Sequence, residues 1–360
     1  MSKTKVRALV EGVDEFIGVD HHKKTSYLTI RDPQGETIRQ GGIVTSKPSV
    51  TDYIRTSSEQ ENGEAPKRMA VMECGRAYRP MYRWLKEEVD EVVLAHPGSL
   101  KIISETVYKD DKIDSEKLVE LLMLGVIPEA YAASDEAWER RMILRHRVML
   151  VRMQTAVKNR THVVADLYPE ATPRRPEVSD LFGKVGLDWF RRLEIPPSER
   201  WRLDELLDLF CYLKKKIASS EVLVRSIVRE DERCQLLKSM PGIGDFFSAL
   251  IVAEVDRVDR FPSAKDFVSY IGLVPGSDIS GETDKGGRLH KKGNVFLRWA
   301  FVEAAVPATR SNLSLKNFYD RICAKRSKKA GPNIAKCAVA RKLAEIAWRM
   351  LKEERSYEDR

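Results

Sequence analysis

The chain has little cysteine and no long hydrophobic run. Its 360 residues include five cysteines, which are odd in number, widely spaced and without a Cys-x-x-Cys pair: Cys74, Cys211, Cys234, Cys323 and Cys337. Such a set predicts neither a zinc site nor a disulfide framework, and it fits a reduced cytoplasmic compartment. No apolar stretch reaches the roughly 18 residues of a membrane span, and the first residues lack a signal-peptide pattern. We therefore expect no membrane partner.

The composition is that of a folded, basic chain. Hydrophobic residues make up 42% of the chain, which suffices for buried cores. A chain of this length predicts about two or three units. The net charge is +8 and the pI is about 9.1, and this balance favours a polyanion such as nucleic acid as the partner. We place the expected units at residues 1–132, 133–232 and 233–360.

Residues 1–132 alternate between strand and helix patterns. Apolar runs that begin at Glu15, Thr25 and Thr37 predict three strands joined as a meander. Arg68–Glu73 is typical of a buried strand, and helical spacing follows over Tyr78–Glu88 before another strand. A meander followed by strand–helix–strand units predicts a mixed sheet flanked by helices, which is an α/β domain.

The remaining two parts are predicted to be mostly α-helical. Two long amphipathic helices, at residues 137–166 and 202–229, flank an insertion that contains several prolines. They are compatible with an antiparallel hairpin, an oligomerising coiled coil or an ordinary helical bundle. The last part contains an apolar helix at residues 246–255 and a final helix at residues 334–352. The apolar positions that predict the first long helix are Met142, Val148, Val151, Ala156, Val163 and Leu167.

Acidic residues lie at the ends of the predicted strands and helices of the first part. Asp20 ends the first strand, Glu73 ends the fourth, and Asp111 and Asp114 share one face at the start of a helix. Carboxylates gathered at strand ends can hold one or two Mg²⁺ ions, which stabilise the attacking and leaving oxygens in phosphodiester displacement. Acidic residues at a helix start are also explained by the helix dipole alone. The six histidines show no metal-ligand spacing, and His21-His22 is best explained as a surface pair.

Three basic stretches are candidates for phosphate contact. They lie on the first long helix, in a Gly-rich loop, and between Arg321 and Lys342, where eight Lys and Arg occur without an acidic residue. Uncompensated positive charge repels itself unless a polyanion binds, although a charged helix is usually a solvated face. The predicted nucleic-acid contacts are Arg145, Arg152, Lys158, Arg160, Lys285, Arg288, Lys291, Lys292, Arg298, Lys328 and Lys329.

Two glycine-containing segments complete the candidate set. Residues 241–244, Pro-Gly-Ile-Gly, resemble the hairpin of helix–hairpin–helix modules, whose backbone N–H groups hold a DNA phosphate. Gly242 and Gly244 are therefore predicted contacts, although a tight turn that only joins two helices would look the same. Ser277 and Ser280 lie in a Gly-rich loop, where a serine beside glycine is normally a turn residue.

Taken together, these residues resemble the DEDD-type transposases of insertion sequences, a family of RNA-guided (bridge-RNA) recombinases. In the first part the resemblance lies in residues 17–20, Ile-Gly-Val-Asp, and in Met72-Glu73. Residues 109–114, Lys-Asp-Asp-Lys-Ile-Asp, are similar to the family's Lys-Thr-Asp-x-x-Asp motif. The match continues in order along nearly the whole chain.

The later motifs of the family follow in the same order. The middle part matches at residues 147–152 and 158–160. The last part has the Pro-Gly-Ile-Gly start, then Tyr-x-Gly-Leu-x-Pro followed by Ser-Gly. It also has Lys-Lys-Gly-Asn at residues 291–294, with Leu-Arg at residues 297–298.

The resemblance implies a fold and a chemistry. Residues 1–132 would form a ribonuclease-H-like (RuvC-like) domain, residues 133–232 a helical coiled coil, and residues 233–360 a mostly α transposase domain. The ligands of Mg²⁺ or Mn²⁺ would be Asp20, Glu73, Asp111 and Asp114. Ser280 would attack a DNA phosphodiester and form a phosphoserine link, so that rejoining needs no ATP.

The chain departs from the family's motifs at a few positions. Asp110 stands where the family usually has Thr, so Asp110 with Asp114 is an alternative register. Ser115 replaces the usual Ala, and Ser277 is an alternative nucleophile.

The resemblance also implies the partners and the setting of the chain. The partners would be donor and target DNA, a non-coding guide RNA from the same element, and further copies of the chain in a dimer or tetramer. The setting would be the cytoplasm of a bacterial or archaeal cell, near the nucleoid when active. Two other functions stay open: a metal-dependent, junction-resolvase-like nuclease without a serine step, and a non-catalytic nucleic-acid-binding protein.

Overall fold

The computed structural model of the chain describes residues 10–56, 65–103, 110–274, 279–280, 283–284, 293–325, 327 and 330–358. The chain divides into two compact units, Met1–Ala132 and Ala133–Arg360. The first unit is α/β and the second is mostly helical, as predicted. Among the residues just named, no helix is long and apolar enough to cross a membrane. A division of the second unit into a coiled-coil region and a transposase domain stays a prediction.

A five-stranded mixed sheet forms the centre of the first unit. Its strands in chain order are β1 Glu15–His21, β2 Thr25–Arg31, β3 Thr37–Val44, β4 Arg68–Glu73 and β5 Glu91–Ala95. In space the order is β3-β2-β1-β4-β5. The first three strands pair antiparallel, whereas β1–β4 and β4–β5 pair parallel. The predicted meander and the following parallel unit are therefore confirmed.

Four helices with described bounds accompany this sheet. They are α1 Lys47–Arg55, α2 Tyr78–Glu88, α3 Pro97–Ile103 and α4 Asp111–Met123. Asp110 caps the start of helix α4, and its side chain accepts a hydrogen bond from the Lys112 backbone N–H at 3.0 Å. This cap satisfies one of the amide groups that a helix start leaves without a partner.

Helix α4 packs closely on β1 because β1 has a glycine at the contact. A Cβ atom at Gly18 would lie 2.1 Å from the Ser115 carbonyl oxygen and 2.9 Å from the Val119 nitrogen, so a larger residue would displace the helix. Ser115 also fixes the helix to the sheet, since its buried hydroxyl lies 2.7 Å from that of Thr29 on β2. This approach brings the first turn of α4 beside the end of β1.

The second unit is built from helices of very different lengths. They are α5 Asp135–Asp166, α6 Lys184–Arg192, α7 Pro197–Glu230, α8 Glu232–Lys238, α9 Asp245–Val255, α10 Ala264–Ile271, α11 Val295–Ser311, α12 Leu313–Ala324 and α13 Gly331–Glu353. A short hairpin of β6 Ile279–Ser280 and β7 Thr283–Asp284 lies between α10 and α11.

The two long helices, α5 and α7, pack against each other in opposite directions. Arg140 pairs with Asp231 and Arg147 pairs with Glu221, so a step forward along α5 is a step backward along α7. Apolar side chains of both helices share one core with α6. Of the alternatives that the sequence left open, the structure has the antiparallel hairpin.

The apolar stripe predicted for α5 is only partly the buried one. Val148 is buried, but Met142, Val163 and Leu167 are exposed. The helix carries apolar residues on two faces. The three- and four-residue steps used in the sequence prediction joined positions of the buried face with positions of the exposed face. The apolar positions that the fold buries on α5 include Leu144, Val148, Leu150, Val157 and Val164.

Helix α9 lies at the centre of the second unit. It is buried from Ser248 to Val255 and contacts α5, α7, α8 and α11. Each fully buried large apolar side chain stabilises the fold by roughly 1.5–3 kcal/mol, so this helix contributes substantially to the stability of the core. The prediction of an apolar helix at residues 246–255 is confirmed. Helix α13 extends the same core against α11 and α12.

Candidate metal site

Two of the candidate carboxylates lie at the same edge of the sheet. Val19 of β1 is opposite Met72 of β4 in a parallel pair, so the next residues, Asp20 and Glu73, are neighbours at the carboxyl ends of the two strands. Side chains alternate along a strand, and Asp20 therefore points to the same face as Gly18, the face that α4 covers. The other two carboxylates belong to the first turn of that helix.

Helix α4 brings Asp111 and Asp114 to Asp20. Asp20, Glu73 and Asp114 line one small cavity of about 70 Å³ together with Lys117. Asp111 belongs to a second group, in which ligand atoms of Asp20, His22 and Asp111 all lie within 4.8 Å of one another. The structure thus brings together all four carboxylates that the sequence singled out, around Asp20.

The electrostatics of this cluster favour a cation. Burial raises the pKa of Asp20, and the nearby carboxylates of Asp111 and Asp114 raise it further, against an opposing effect of His22. The Oδ2 atom of Asp20 is buried, and the His22 ring nitrogen Nε2 lies 3.1 Å from it. Gathered carboxylates with a buried oxygen of this kind are a suitable donor set for a hard divalent ion such as Mg²⁺.

The two adjacent aspartates at the start of α4 differ in what they contact. Asp110 caps the helix through its own side chain. Asp111 Oδ1 instead lies 3.3 Å from His22 Nε2, within the cluster around Asp20. The geometry favours the register of Asp111 with Asp114 over that of Asp110 with Asp114.

The two histidines predicted as a surface pair differ in their surroundings. His21 is half-buried and its ring nitrogens lie 3.1 Å from Ser26 Oγ and 3.2 Å from the Ala77 carbonyl oxygen. His22 is exposed but its Nε2 lies 3.1 Å from Asp20 Oδ2. The sequence position of His22 could have indicated its contact with Asp20, because β1 ends at His21 and the following residue can turn back toward Asp20.

Of the two serine candidates, Ser280 lies within the described residues. Ser280 lies in β6 and pairs with Thr283 of β7. The other candidates of this loop and of the last basic stretch lie outside the described residues: Ser277, Lys285, Arg288, Lys291, Lys292, Lys328 and Lys329.

The basic stretch on α5 is largely involved in internal contacts. Arg145 forms a bidentate salt bridge with Glu254, in which its Nε and Nη2 atoms donate to Oε1 and Oε2 at 2.8 and 2.9 Å. Glu254 is fully buried near the end of α9. Arg141 is buried and donates to the carbonyl oxygens of Ala253 and Glu254. The charge of Arg145 is therefore neutralised within the fold, which leaves little of it for a phosphate.

The other candidates on α5 differ in their availability. Arg152 and Arg160 are exposed and form no salt bridge to another described residue. The ammonium group of Lys158 lies over the rings of Phe182 and Phe210, at 4.9 and 5.6 Å from their centroids. Arg152, Lys158 and Arg160 thus differ from Arg145, whose charge pairs with a buried carboxylate.

Part of the last basic stretch is compensated by acidic residues outside it. Lys336 lies 3.8 Å from Glu303 of α11, and Arg341 pairs with Glu345 one turn later in α13. The positive charge between Arg321 and Lys342 is therefore partly neutralised by acidic residues that lie outside this stretch of the sequence.

The glycine hairpin before α9 has a packing role. Gly242 has a φ of 82°, and a Cβ there would lie 2.3 Å from the Ala304 carbonyl oxygen of α11. Only glycine fits this position, whether or not a phosphate binds. Gly244 is exposed at the start of α9, and Arg298 is half-buried on α11.

Known proteins similar to this chain include transposases of insertion sequences. A family model for DEDD transposases of IS110 type, described as "Transposase", matches residues 17–169, which contain all four carboxylates. A second model, described as "Transposase IS116/IS110/IS902 family", matches residues 234–320.

Individual relatives are similar over most of their length. A probable family 20 transposase of Pseudomonas aeruginosa is 25% identical, over 86% of this chain and 89% of its own. The transposase of insertion sequence IS1328 from Yersinia enterocolitica is 23% identical, over 92% and 95% of the two chains. The transposase of IS1111A from Coxiella burnetii is 23% identical, over 95% and 91%.

Proposed function

The chain belongs to the DEDD-type family of insertion-sequence transposases, and we therefore propose that it cleaves and rejoins DNA with a divalent-metal site in its first unit. The observation that carries the proposal is that Glu73 and Asp114 line one cavity with Asp20, while ligand atoms of Asp111 and Asp20 lie within 4.8 Å of each other. A sheet with three antiparallel strands followed by two parallel ones supports a ribonuclease-H-like fold for this unit.

Each residue of the site has a defined part in the proposal. Asp20, Glu73, Asp111 and Asp114 would hold one or two Mg²⁺ or Mn²⁺ ions. When bound, such ions supply activation of the attacking hydroxyl and neutralise charge on the transferring phosphate. Gly18 allows α4 to lie against β1, and Ser115 holds it there through Thr29, so that the helix carboxylates keep their position.

A set of conservative amide substitutions tests the metal site. Asp20→Asn, Glu73→Gln or Asp111→Asn should reduce strand cleavage by about a thousandfold or more while DNA binding persists, because the ligands act on the chemistry. Asp110→Asn is the matched control, since asparagine also caps helices well and should leave cleavage intact. Normal cleavage by the Asp20→Asn protein would reject the assignment.

We further propose that Ser280 is the nucleophile, on the strength of the family motif. Its attack on a phosphodiester would form the Ser Oγ–P bond and release the 3′-hydroxyl of the leaving strand, which later attacks the phosphoserine and restores the serine. A nicked DNA substrate should trap a covalent protein–DNA adduct, and Ser280→Ala should abolish it. An adduct that survives in Ser280→Ala and disappears in Ser277→Ala would assign the role to Ser277. Metal-dependent cleavage without any adduct would support the resolvase-like nuclease instead.

The partners proposed are donor and target DNA, a guide RNA and further copies of the chain. Exposed methionines on α5 support self-association, since Met142, Met149 and Met153 follow heptad spacing on the face turned away from α7. Replacing Met149 and Met153 by glutamate should reduce the molar mass measured by light scattering. An unchanged mass would exclude this face as the contact.

A further inference from the structure

His22 contacts two of the four carboxylates but is not itself one of the proposed metal ligands. It follows the end of β1 by one residue, and 47% of its side chain is exposed. Its Nε2 atom lies 3.1 Å from Asp20 Oδ2 and 3.3 Å from Asp111 Oδ1. One ring nitrogen therefore faces two carboxylates that come from two different elements, β1 and α4.

These separations match those between ligands of one metal ion. Neighbouring ligand atoms of a six-coordinate ion, each about 2.1 Å from the metal, are about 3 Å apart. We propose that His22 is a nitrogen ligand of a divalent cation held between Asp20 and Asp111. The inference deepens the proposed function and rests on it, because the same carboxylates must hold the ion.

The neighbouring histidine shows that this placement is particular to His22. Strand alternation turns His21 to the opposite face of the sheet from Asp20, where its ring contacts Ser26 and the Ala77 carbonyl. His21 is thus a matched control, one residue away and of the same chemistry.

A nitrogen ligand changes which ion the site prefers. Carboxylate oxygens suit Mg²⁺, whereas imidazole favours ions later in the first transition row, with Mn²⁺, Co²⁺ and Zn²⁺ bound more tightly than Mg²⁺. The position between Asp20 and Asp111 should therefore select Mn²⁺ or Co²⁺ over Mg²⁺. The cavity lined by Glu73 and Asp114 offers carboxylate oxygens and carries no such preference.

Pulsed electron paramagnetic resonance of the full chain loaded with Mn²⁺ tests the ligand directly. The unaltered chain and His21→Ala should show modulation from a directly bound ¹⁴N nucleus, and His22→Ala should lose it. By titration, His22→Ala should weaken Mn²⁺ binding about tenfold or more and Mg²⁺ binding by less than about threefold, because the lost donor is the nitrogen.

The possible results separate this inference from the proposed site. Bound Mn²⁺ without ¹⁴N modulation in the unaltered chain, or with modulation that persists in His22→Ala, would overturn the role of His22 and leave the carboxylate site standing. In that case the contact is an ordinary histidine–carboxylate ion pair. Mn²⁺ binding that is the same in Asp20→Asn and in the unaltered chain would overturn the site itself.

Discussion

The carboxylates around Asp20 form a cluster of negative charge, and the arginines along α5 form a cluster of positive charge. The two clusters differ in how far the fold pairs them with residues of opposite charge. Three acidic residues of the first unit line a small cavity in which Lys117 is the basic residue, and Asp111 lies close to one of them, Asp20. On α5 of the second unit, Arg140, Arg145 and Arg147 each pair with an acidic residue of another helix or of its end. The first cluster concentrates negative charge, whereas the second distributes positive charge into internal ion pairs.

The difference teaches how a charged cluster should be interpreted. A cluster of partly buried carboxylates favours a bound cation, since burial raises the pKa of Asp20 and the nearby charges of Asp111 and Asp114 raise it further. Arginines with buried partners stabilise the packing of helices and have little charge left for a ligand. The same density of charge in the sequence therefore indicates a site in one unit and a structural network in the other.

The largest expected effect on stability concerns the buried partner of the arginine network. Glu254→Gln should lower the free energy of unfolding of the second unit by about 3 kcal/mol, because Arg141 and Arg145 lose the charge that compensates them. Asp20→Asn should leave the metal-free first unit as stable as before, or more so, since it removes repulsion. Urea unfolding of both proteins measures the contrast.

A surface ion pair provides the control for this comparison. Glu345→Gln breaks the pair with Arg341 within α13 and should cost at most about 1 kcal/mol, as exposed pairs do. A loss for Glu254→Gln no greater than that for Glu345→Gln would show that the network on α5 is not structural.

A smaller effect is expected from the glycine that brings α4 to the carboxylates of the strands. Gly18→Ala should destabilise the first unit by about 1–3 kcal/mol, because its Cβ would overlap the Ser115 carbonyl. It should also weaken divalent-ion binding, since Asp111 and Asp114 move with the helix. Gly75→Ala is the control, because a Cβ there meets nothing within 4 Å. Equal ion affinity in the two variants would show that ion binding does not depend on the close contact between α4 and β1.

The sequence predicted local features better than long-range pairs. The strands, the helix after β4 and the four carboxylates were predictable, because alternation, turns and strand ends are properties of neighbouring residues. The pairing of Arg145 with Glu254 was not, because 109 residues separate the two. The contact of His22 with Asp20 and Asp111 was missed for a related reason, since it depends on where α4 packs.

The smallest expected effect concerns the exposed arginines of α5. Arg152→Ala should make the dependence of DNA affinity on salt shallower, by about 0.9 in the log–log slope if one phosphate contact is lost. Arg175→Ala is the control, since Arg175 is exposed but pairs with Asp166. Fluorescence anisotropy over a range of salt concentrations measures both slopes. Identical slopes in the two variants would show that Arg152 makes no phosphate contact and is an ordinary solvated side chain.

The effect of divalent ions on thermal unfolding tests the central claim most directly. An ion that binds only the folded chain stabilises it by RT ln(1 + [ion]/Kd), or about 2.7 kcal/mol at one hundred times Kd. The account predicts that Mn²⁺ and Mg²⁺ raise the melting temperature of the first unit and that Asp20→Asn loses this response while melting no lower than the metal-free parent. A parent chain whose melting temperature ignores both ions, or an Asp20→Asn chain that responds like the parent, would contradict it.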